Sequence, residues 1–347
     1  VTSEHPSFAN VFSELGAGGL SAATVRRVFD AIFAGAWSPA QTGGLLVALR
    51  LSGDSPELIQ AATEAMRAVM LRVPHDFPTL LDTCGTGGDG SNTLNLSTGA
   101  AVIAAGAGMP VGKHGNRAAT SKSGSADVLE ALGVPLDVPA GEQTHVLREA
   151  RIAFLFAQAH HPAMKHAMPI RRELGIRTIF NCLGPLANPA GATHQLLGAY
   201  DDSMRVVLAT ALRGLGSKGA WVVRSTDGMD ELSPHAPTRV TELSGGTLRE
   251  FEVAPEDFGL SRSPAGAIRG GDPKANAEAL DEVLSGKPHP ARDAFVLNAA
   301  AALVVAEGIE PKRAAEKARE SLESGAARRT LETWKRIASA RRPSSGG

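Results

Sequence analysis

From Leu80 onward the chain alternates short apolar runs with alanine-rich stretches of helical length, and this rhythm limits the possible folds more than any other feature. LLDTC (80–84), MPVG (109–112), FLFAQ (154–158) and WVVR (221–224) read as buried strands. Ser97–Ala107 and Ala126–Leu132 read as helices between them, and Gly271–Ser285 and Phe295–Glu307 as later helices of the same unit. Strands that alternate with helices need crossover connections. The expected fold is therefore α/β, with a central, mostly parallel sheet covered on both faces. Open sheets of this kind take ligands beyond the carboxyl ends of their strands, so the loops that follow strands are where chemistry is sought.

The first seventy residues carry a different pattern. Ser21 is placed as a helix N-cap, with Val25, Val28, Phe29, Ile32 and Phe33 at helical spacing. Ser38-Pro39 opens a second helix, in which Gln41 completes a capping box. Ser55-Pro56 opens a third, with Ile59, Ala62, Met66, Val69 and Met70 on one face. A small N-terminal α-helical domain ending near Val73-Pro74 is expected ahead of the larger α/β domain. With 43% hydrophobic residues in 347, the chain can fill a sizeable core, which excludes global disorder. A net charge of −1 argues against a protein built to coat nucleic acid. Cys84 and Cys182 lie far apart, with no zinc spacing and no disulfide framework. The N-terminal VTSEHPSFAN lacks the signal-peptide pattern, and the longest apolar stretches, about 13 residues, fall short of a bilayer. A soluble cytoplasmic protein is expected. Residues 310–347 hold ten Lys/Arg against five Glu and read as a solvated helix with a frayed tail, or alternatively as a basic binding tail.

Three loops carry chemistry. Asp82-Thr83-Cys84-Gly85-Thr86-Gly87-Gly88-Asp89-Gly90 follows a strand and leads through Asn92, Thr93, Asn95, Ser97 and Thr98 into a helix. Glycines let backbone N–H groups approach an anion, and a helix N-terminus adds its dipole, so the segment suits a phosphate or pyrophosphate; a structural turn is the other reading. Gly85, Gly87 and Gly90 match GxGxxG, yet no acid appears before Asp127 to hold a ribose, and no Gly-Lys-Ser/Thr follows as a Walker loop needs. Asp89 would repel phosphate unless a cation or backbone donors compensate. The second loop, 113–125, packs three cations, His114, Asn116 and four hydroxyls into thirteen residues. It can converge with the first on one polyanion, with Lys113 as a point charge. The third, Asp227-Gly228-Met229-Asp230-Glu231, follows WVVR and suits Mg²⁺, which takes one or two carboxylates together with phosphate oxygens and water; general-acid carboxylates remain the competing use. His160-His161 lacks partners for zinc; with Arg171-Arg172 beyond it, the segment also suits an aromatic carboxylate. Asn181–Pro189 reads as a rigid turn.

In order along the chain, GTGGDGSNTLNLST (85–98), KHGNRAATSKSGSADVLEALG (113–133), FLFAQAHHPAMKHAMPIRRELGIRTIFNCLGPLANP (154–189), DGMDE (227–231) and GGDPKANA (270–277) resemble the anthranilate phosphoribosyltransferase family of tryptophan biosynthesis. The resemblance implies a small helical domain, 1–73 with 168–186, joined to a large α/β domain, 74–167 with 187–347, usually in a homodimer. It implies transfer of the phosphoribosyl group of PRPP to anthranilate, with Mg²⁺ and no nucleic-acid or membrane partner. PRPP would be held by Gly85, Gly88, Asp89, Thr93, Asn95, Leu96, Ser97 and Thr98, and by Lys113, His114, Gly115, Asn116, Arg117, Ala118, Ala119, Thr120, Ser121 and Ser125. Magnesium would be held by Ser97, Asp230 and Glu231. Anthranilate would meet Asn116, Arg171 and the Gly85 backbone, with His114, His161 and Pro185 along its path. No general base is assigned.

The chain departs from the family pattern at VVRST (222–226), where a VVHG-like sequence is common, and at Leu94 and Thr120, which keep the chemistry type. Two rivals share the architecture. A pyrimidine nucleoside phosphorylase would bind inorganic phosphate and a nucleoside, and the KHGN loop and paired acids oppose it. An inactive nucleic-acid-binding relative would need a basic excess and the loss of Asp230 and Glu231, neither of which is present.

Overall fold

The computed structural model describes residues 5–118, 122–264 and 266–343. Four helices come first: α1 (Phe8–Gly16), α2 (Ala22–Phe33), α3 (Pro39–Ser52) and α4 (Pro56–Val69). Each starts on a serine, Ser7, Ser21, Ser38 or Ser55, whose side chain accepts a first-turn N–H. Ser38 and Gln41 form the capping box their spacing predicts.

The α/β part runs β1 (Leu81–Gly85), α5 (Leu96–Gly106), β2 (Val111–Gly115), α6 (Ser125–Ala131), α7 (Gln143–Ala150), β3 (Ile152–Phe156) and the short α8 (Ala157–His160). Two further short helices, α9 (Met168–Leu174) and α10 (Phe180–Leu186), precede β4 (His194–Gly198), α11 (Met204–Gly214) and β5 (Gly219–Ser225). The hairpin β6 (Thr238–Ser244) and β7 (Thr247–Val253) follows, then α12 (Pro273–Leu284), α13 (Arg292–Glu307), α14 (Pro311–Glu323) and α15 (Ala326–Ala340). The seven strands lie in the order β3-β2-β1-β4-β5-β6-β7, parallel through β5 and antiparallel over the last two. The strand order reverses direction between β1 and β4, which makes the crevice beyond their carboxyl ends the natural ligand site.

Side chains alternate across the sheet into two cores. Leu196, Trp221 and Val223 face the helices α5, α13 and α15. Leu197, Ala220 and Val222 face α11 and the N-terminal helices, joined by Ile170, Phe180, Cys182, Leu183 and Leu186 of α9 and α10. The helices α9 and α10 thus share a core with α1–α4 although about a hundred residues separate them in sequence. Among the described residues, no single helix is long and apolar enough to cross a membrane.

Two expectations are corrected. Residues 311–340 are not a solvated helix or a binding tail: α14 and α15 bury Ala314, Ala315, Ala318, Leu322, Leu331 and Trp334 in the main core. Several of their cations pair with acids, as in Lys317–Glu307 and Arg328–Asp281, and just past α15 Arg341 pairs with Glu142 and Arg342 with Asp137. Nor is Asn181–Pro189 a turn throughout, because α10 runs to Leu186 with Pro185 inside the helix.

Close helix contact fixes α5 against α15. A Cβ at Gly106 would lie 2.6 Å from the Ala327 backbone nitrogen and would overlap the Ser321 hydroxyl. Gly106→Ala is expected to destabilise the protein by about 1–3 kcal/mol, the usual cost of overpacking, read as a lower urea midpoint with an unchanged slope.

Candidate functional site

The crevice at the strand-order reversal is built on two glycines. Gly85 ends β1 and Gly198 ends β4, and the two are register partners. A Cβ at Gly85 would lie 2.6 Å from Asp230 Oδ2, and one at Gly198 would overlap the Asp230 carbonyl oxygen. The acidic loop after β5 therefore lies directly over these strand ends. It is pinned from behind by Asn298 of α13, which accepts from the Leu232 N–H (3.0 Å) and donates to the Leu232 carbonyl (3.0 Å).

The two carboxylates of this loop reach opposite sides of the glycine segment. Asp230 Oδ2 accepts from the Gly87 N–H at 3.0 Å, and Glu231 Oε1 accepts from the Ser97 N–H at 2.9 Å, in the first turn of α5. The carboxylates thus sit on the donors that the sequence assigns to an anion. Asp89 is compensated by backbone donors: its Oδ2 accepts from the Asp230 N–H (3.3 Å) and its Oδ1 from the Ser91 N–H (3.3 Å). Burial pushes the Asp230 and Glu231 carboxyls above their usual range; the charge of Asp89 adds to the shift at Asp230, and that of Asp230 to the shift at Glu231. Asp227, by contrast, turns away, bonded to the Ser225 and Ser233 hydroxyls.

Ser97, Asp230 and Glu231 offer hard oxygen donors only. Among the described residues no group of three or more His, Cys, Asp or Glu is arranged to hold a metal ion. Such a sparse donor set fits magnesium, which completes its shell with phosphate oxygens and water, and does not fit zinc.

Beneath the crevice runs a buried polar network. Asp82 accepts from the His114 N–H (3.1 Å) and from Asn188 Nδ2 (2.8 Å), which also donates to the Gly112 carbonyl (2.7 Å). Lys113 is 2% exposed, and its Nζ donates to the Thr83 carbonyl at 2.6 Å and lies 3.5 Å from Ser97 Oγ. Its ammonium points under the glycine loop instead of being displayed on its own. Burial lifts Asp82 to about 6, with Lys113 and the hydrogen bonds opposing the shift.

Of the other expected site residues, Thr93 and Leu94 are braced by residues 268–269. Asn95 donates to the Ser123 carbonyl and accepts from Asn276 of α12. Leu96 is buried, and Thr98 is buried with its hydroxyl unpartnered among the described residues. Gly115 and Ser125 are close neighbours, and Ser125 Oγ donates to the Asn116 carbonyl. Arg117 is turned away, paired with Asp127 (2.9 Å) and Glu130 (2.8 Å), while the Ala118 N–H donates to Asp127. Ala119, Thr120 and Ser121 lie outside the described residues. His114 and His161 meet at 3.2 Å between their Nε2 atoms. Pro185 offers its carbonyl to Gln195. Arg171 stays in the helical lobe, its guanidinium 5.3 Å over the Phe180 ring. Three contributors escaped sequence reasoning: Gly198, Asn188 and Arg177, whose guanidinium donates to the carbonyls of Gly87 (3.0 Å) and Gly88 (2.8 Å). Each acts through partners distant in the chain, so its neighbours in sequence do not give its role.

Family models described as "Glycosyl transferase family, helical bundle domain" and "Glycosyl transferase family, a/b domain" match residues 16–70 and 78–328. An anthranilate phosphoribosyltransferase of Symbiobacterium thermophilum is 50% identical over 314 residues, 90% of this chain and 92% of the relative. The crystal structure of that enzyme from Thermus thermophilus superposes with a TM-score of 0.89 at 41% identity, covering 95% of this chain and 99% of the other. The Saccharomyces cerevisiae enzyme, solved in complex with PRPP and Mg, gives 0.88 at 31% identity, covering 96% and 98%.

Burial holds His161 down at about 4, aided by His160, and lowers His114 as well. A histidine with a depressed folded pKa binds fewer protons folded than unfolded. Its stability contribution is full above pH 6.5 and is lost as pH falls towards 4. Wild type should lose up to about 3 kcal/mol over that window from His161, and His161→Gln should remove that part of the loss. Urea unfolding at pH 7, 5.5 and 4.5 measures the difference.

Proposed function

The chain belongs to the anthranilate phosphoribosyltransferase family, and from that membership and the site geometry we propose how its residues share the work. The reaction moves the 5-phosphoribosyl group of PRPP to the amine of anthranilate, giving N-(5-phosphoribosyl)anthranilate and pyrophosphate in tryptophan biosynthesis. A bond forms between the amine nitrogen and the anomeric carbon of ribose while the bond from that carbon to the pyrophosphate oxygen breaks. The electron pair leaves with pyrophosphate, and the amine proton goes to solvent. A good leaving group on an electron-poor carbon needs no nucleophilic triad, so positioning and electrostatics supply the acceleration.

In this reading the glycine loop and the N-terminus of α5 bind the pyrophosphate, and the loop from Lys113 to Ser125 binds the rest of PRPP. Ser97, Asp230 and Glu231 hold magnesium, which when bound neutralises charge on the departing pyrophosphate. Arg171 and Asn116 orient the anthranilate carboxylate, with neutral His114 and His161 as a wall of its path. The lobe of residues 1–73 and 168–186 closes on the rest of the chain, bringing Arg171 towards the ribose. A homodimer through this lobe belongs to the same reading, supported by Phe12 and Leu51, which α1 and α3 expose.

The observation that carries the reading is the pair of carboxylates resting on the Gly87 and Ser97 N–H groups, where substrate phosphate and metal would take over those positions. The test follows the loss of anthranilate fluorescence with PRPP and Mg²⁺. Asp230→Asn with Glu231→Gln is expected to keep the circular dichroism of the wild type and to lower turnover by about a hundredfold or more. Wild-type rates with unchanged magnesium dependence would remove the metal assignment. Arg171→Ala should raise the KM for anthranilate by about tenfold, the value of a charge-assisted carboxylate contact, and move the KM for PRPP far less. Equal shifts in both would make Arg171 a structural link between the lobes.

A further inference from the structure

Arg177 lies in the connection between α9 and α10, in the same segment as Arg171, yet it reaches across to the glycine loop. Its Nη1 donates to the Gly87 carbonyl at 3.0 Å and its Nη2 to the Gly88 carbonyl at 2.8 Å. The guanidinium carbon sits 4.0 Å over the ring of Tyr200, just beyond β4. Three contacts from two elements hold one planar group, and Gly88 leaves room for it, since a Cβ there would lie 2.6 Å from Nη2. Gly87 and Gly88 also adopt left-handed φ values of 68° and 76°, so the turn and the close approach both require glycine.

The peptide bonds are trans, so each carbonyl points opposite to the N–H of the next residue. Fixing the Gly87 and Gly88 carbonyls on Arg177 therefore turns the N–H groups of Gly88 and Asp89 away from the guanidinium. Neither N–H finds an acceptor among the described residues. Two successive N–H groups presented by a left-handed turn form an anion-binding concavity.

We propose that Arg177 is the positioning residue of the glycine loop: seated on Tyr200, its fork fixes two successive peptide planes so that the Gly88 and Asp89 N–H groups receive pyrophosphate oxygens of PRPP. The proposal rests on the assignment of this loop to PRPP. It also explains why an arginine, and not a lysine, stands here, because two carbonyls in fixed spacing need a planar fork. Through the same contact, the segment that carries Arg171 is tied to the loop that holds the other substrate.

The test compares Arg177→Ala, Arg177→Lys and, as a control for lost surface charge on the same segment, Arg172→Ala. Arg177→Ala should raise the KM for PRPP by at least about tenfold, as expected for losing charge-assisted hydrogen bonds, with the KM for anthranilate moving less than about threefold. Arg177→Lys should recover only part of this, and millimolar guanidinium should partly restore the alanine variant. Without substrate, Arg177→Ala should speed amide exchange at Thr86 and Gly87, whose N–H groups are bonded to the Gly198 carbonyl and to Asp230. An unchanged KM for PRPP, full recovery by lysine, equal shifts for both substrates or wild-type exchange at these amides would each overturn the proposal. If wild type does not consume PRPP with anthranilate, the functional reading fails instead, and the exchange measurement still decides whether Arg177 orders the loop.

Discussion

The carboxyl ends of β1 and β4 can carry an acidic loop only because the paired residues Gly85 and Gly198 have no side chains. The Asp230 backbone lies against the position a Gly198 Cβ would occupy, and its carboxylate crosses over Gly85. That approach brings two carboxylates onto the N–H groups of a glycine turn and a helix terminus. A larger residue at either strand end would move the loop out of reach of both. The parallel sheet provides the crevice, and the missing methyl groups allow it to be filled.

Charge is managed in two layers. In the crevice, backbone N–H groups compensate Asp89, Asp230 and Glu231. Below it, Asp82 and Lys113 are buried among Asn188, Thr83 and the strand backbones. Buried ions of opposite sign with all these partners add little net stability but fix geometry. Here they tie β1, β2 and the segment just after α10 together, so the glycine loop and the loop after β2 leave the sheet from a common base.

Much of this was legible in the chain, for identifiable reasons. Capping serines and 3.6-residue spacing marked α2, α3 and α4, and apolar runs marked the strands buried on both faces. The strand β4, reading HQLLG, opens on two polar residues and leaves only two apolar ones in a row, too few to stand out. The hairpin β6–β7 was missed because its residues alternate with one solvated face, a weaker signal than an unbroken apolar run. The many C-terminal cations mask the helical spacing of Leu331, Trp334, Ile337 and Ala338, which buries one face of α15. Within the site, the contiguous loops were readable. Arg177 and Gly198 were not, because their roles depend on partners 90 and about 30 residues away.

The sheet ends differently on its two sides. The edge strand β3 is covered by α7 and α15, whereas β7 closes the other side as the last strand of an antiparallel hairpin. An uncovered edge is a template for pairing with another chain. Along β7 the exposed positions after Thr247 are filled by Arg249, Glu250 and Glu252, each paired with a charge nearby: Glu242 and Arg239 on β6, and Arg205 on α11. A foreign strand docking there would have to strip water from this row of charges and disrupt its ion pairs. The hairpin thus guards the enzyme against edge-to-edge aggregation, and it does so at the end of the sheet away from the crevice, where such protection places no demand on the geometry of catalysis.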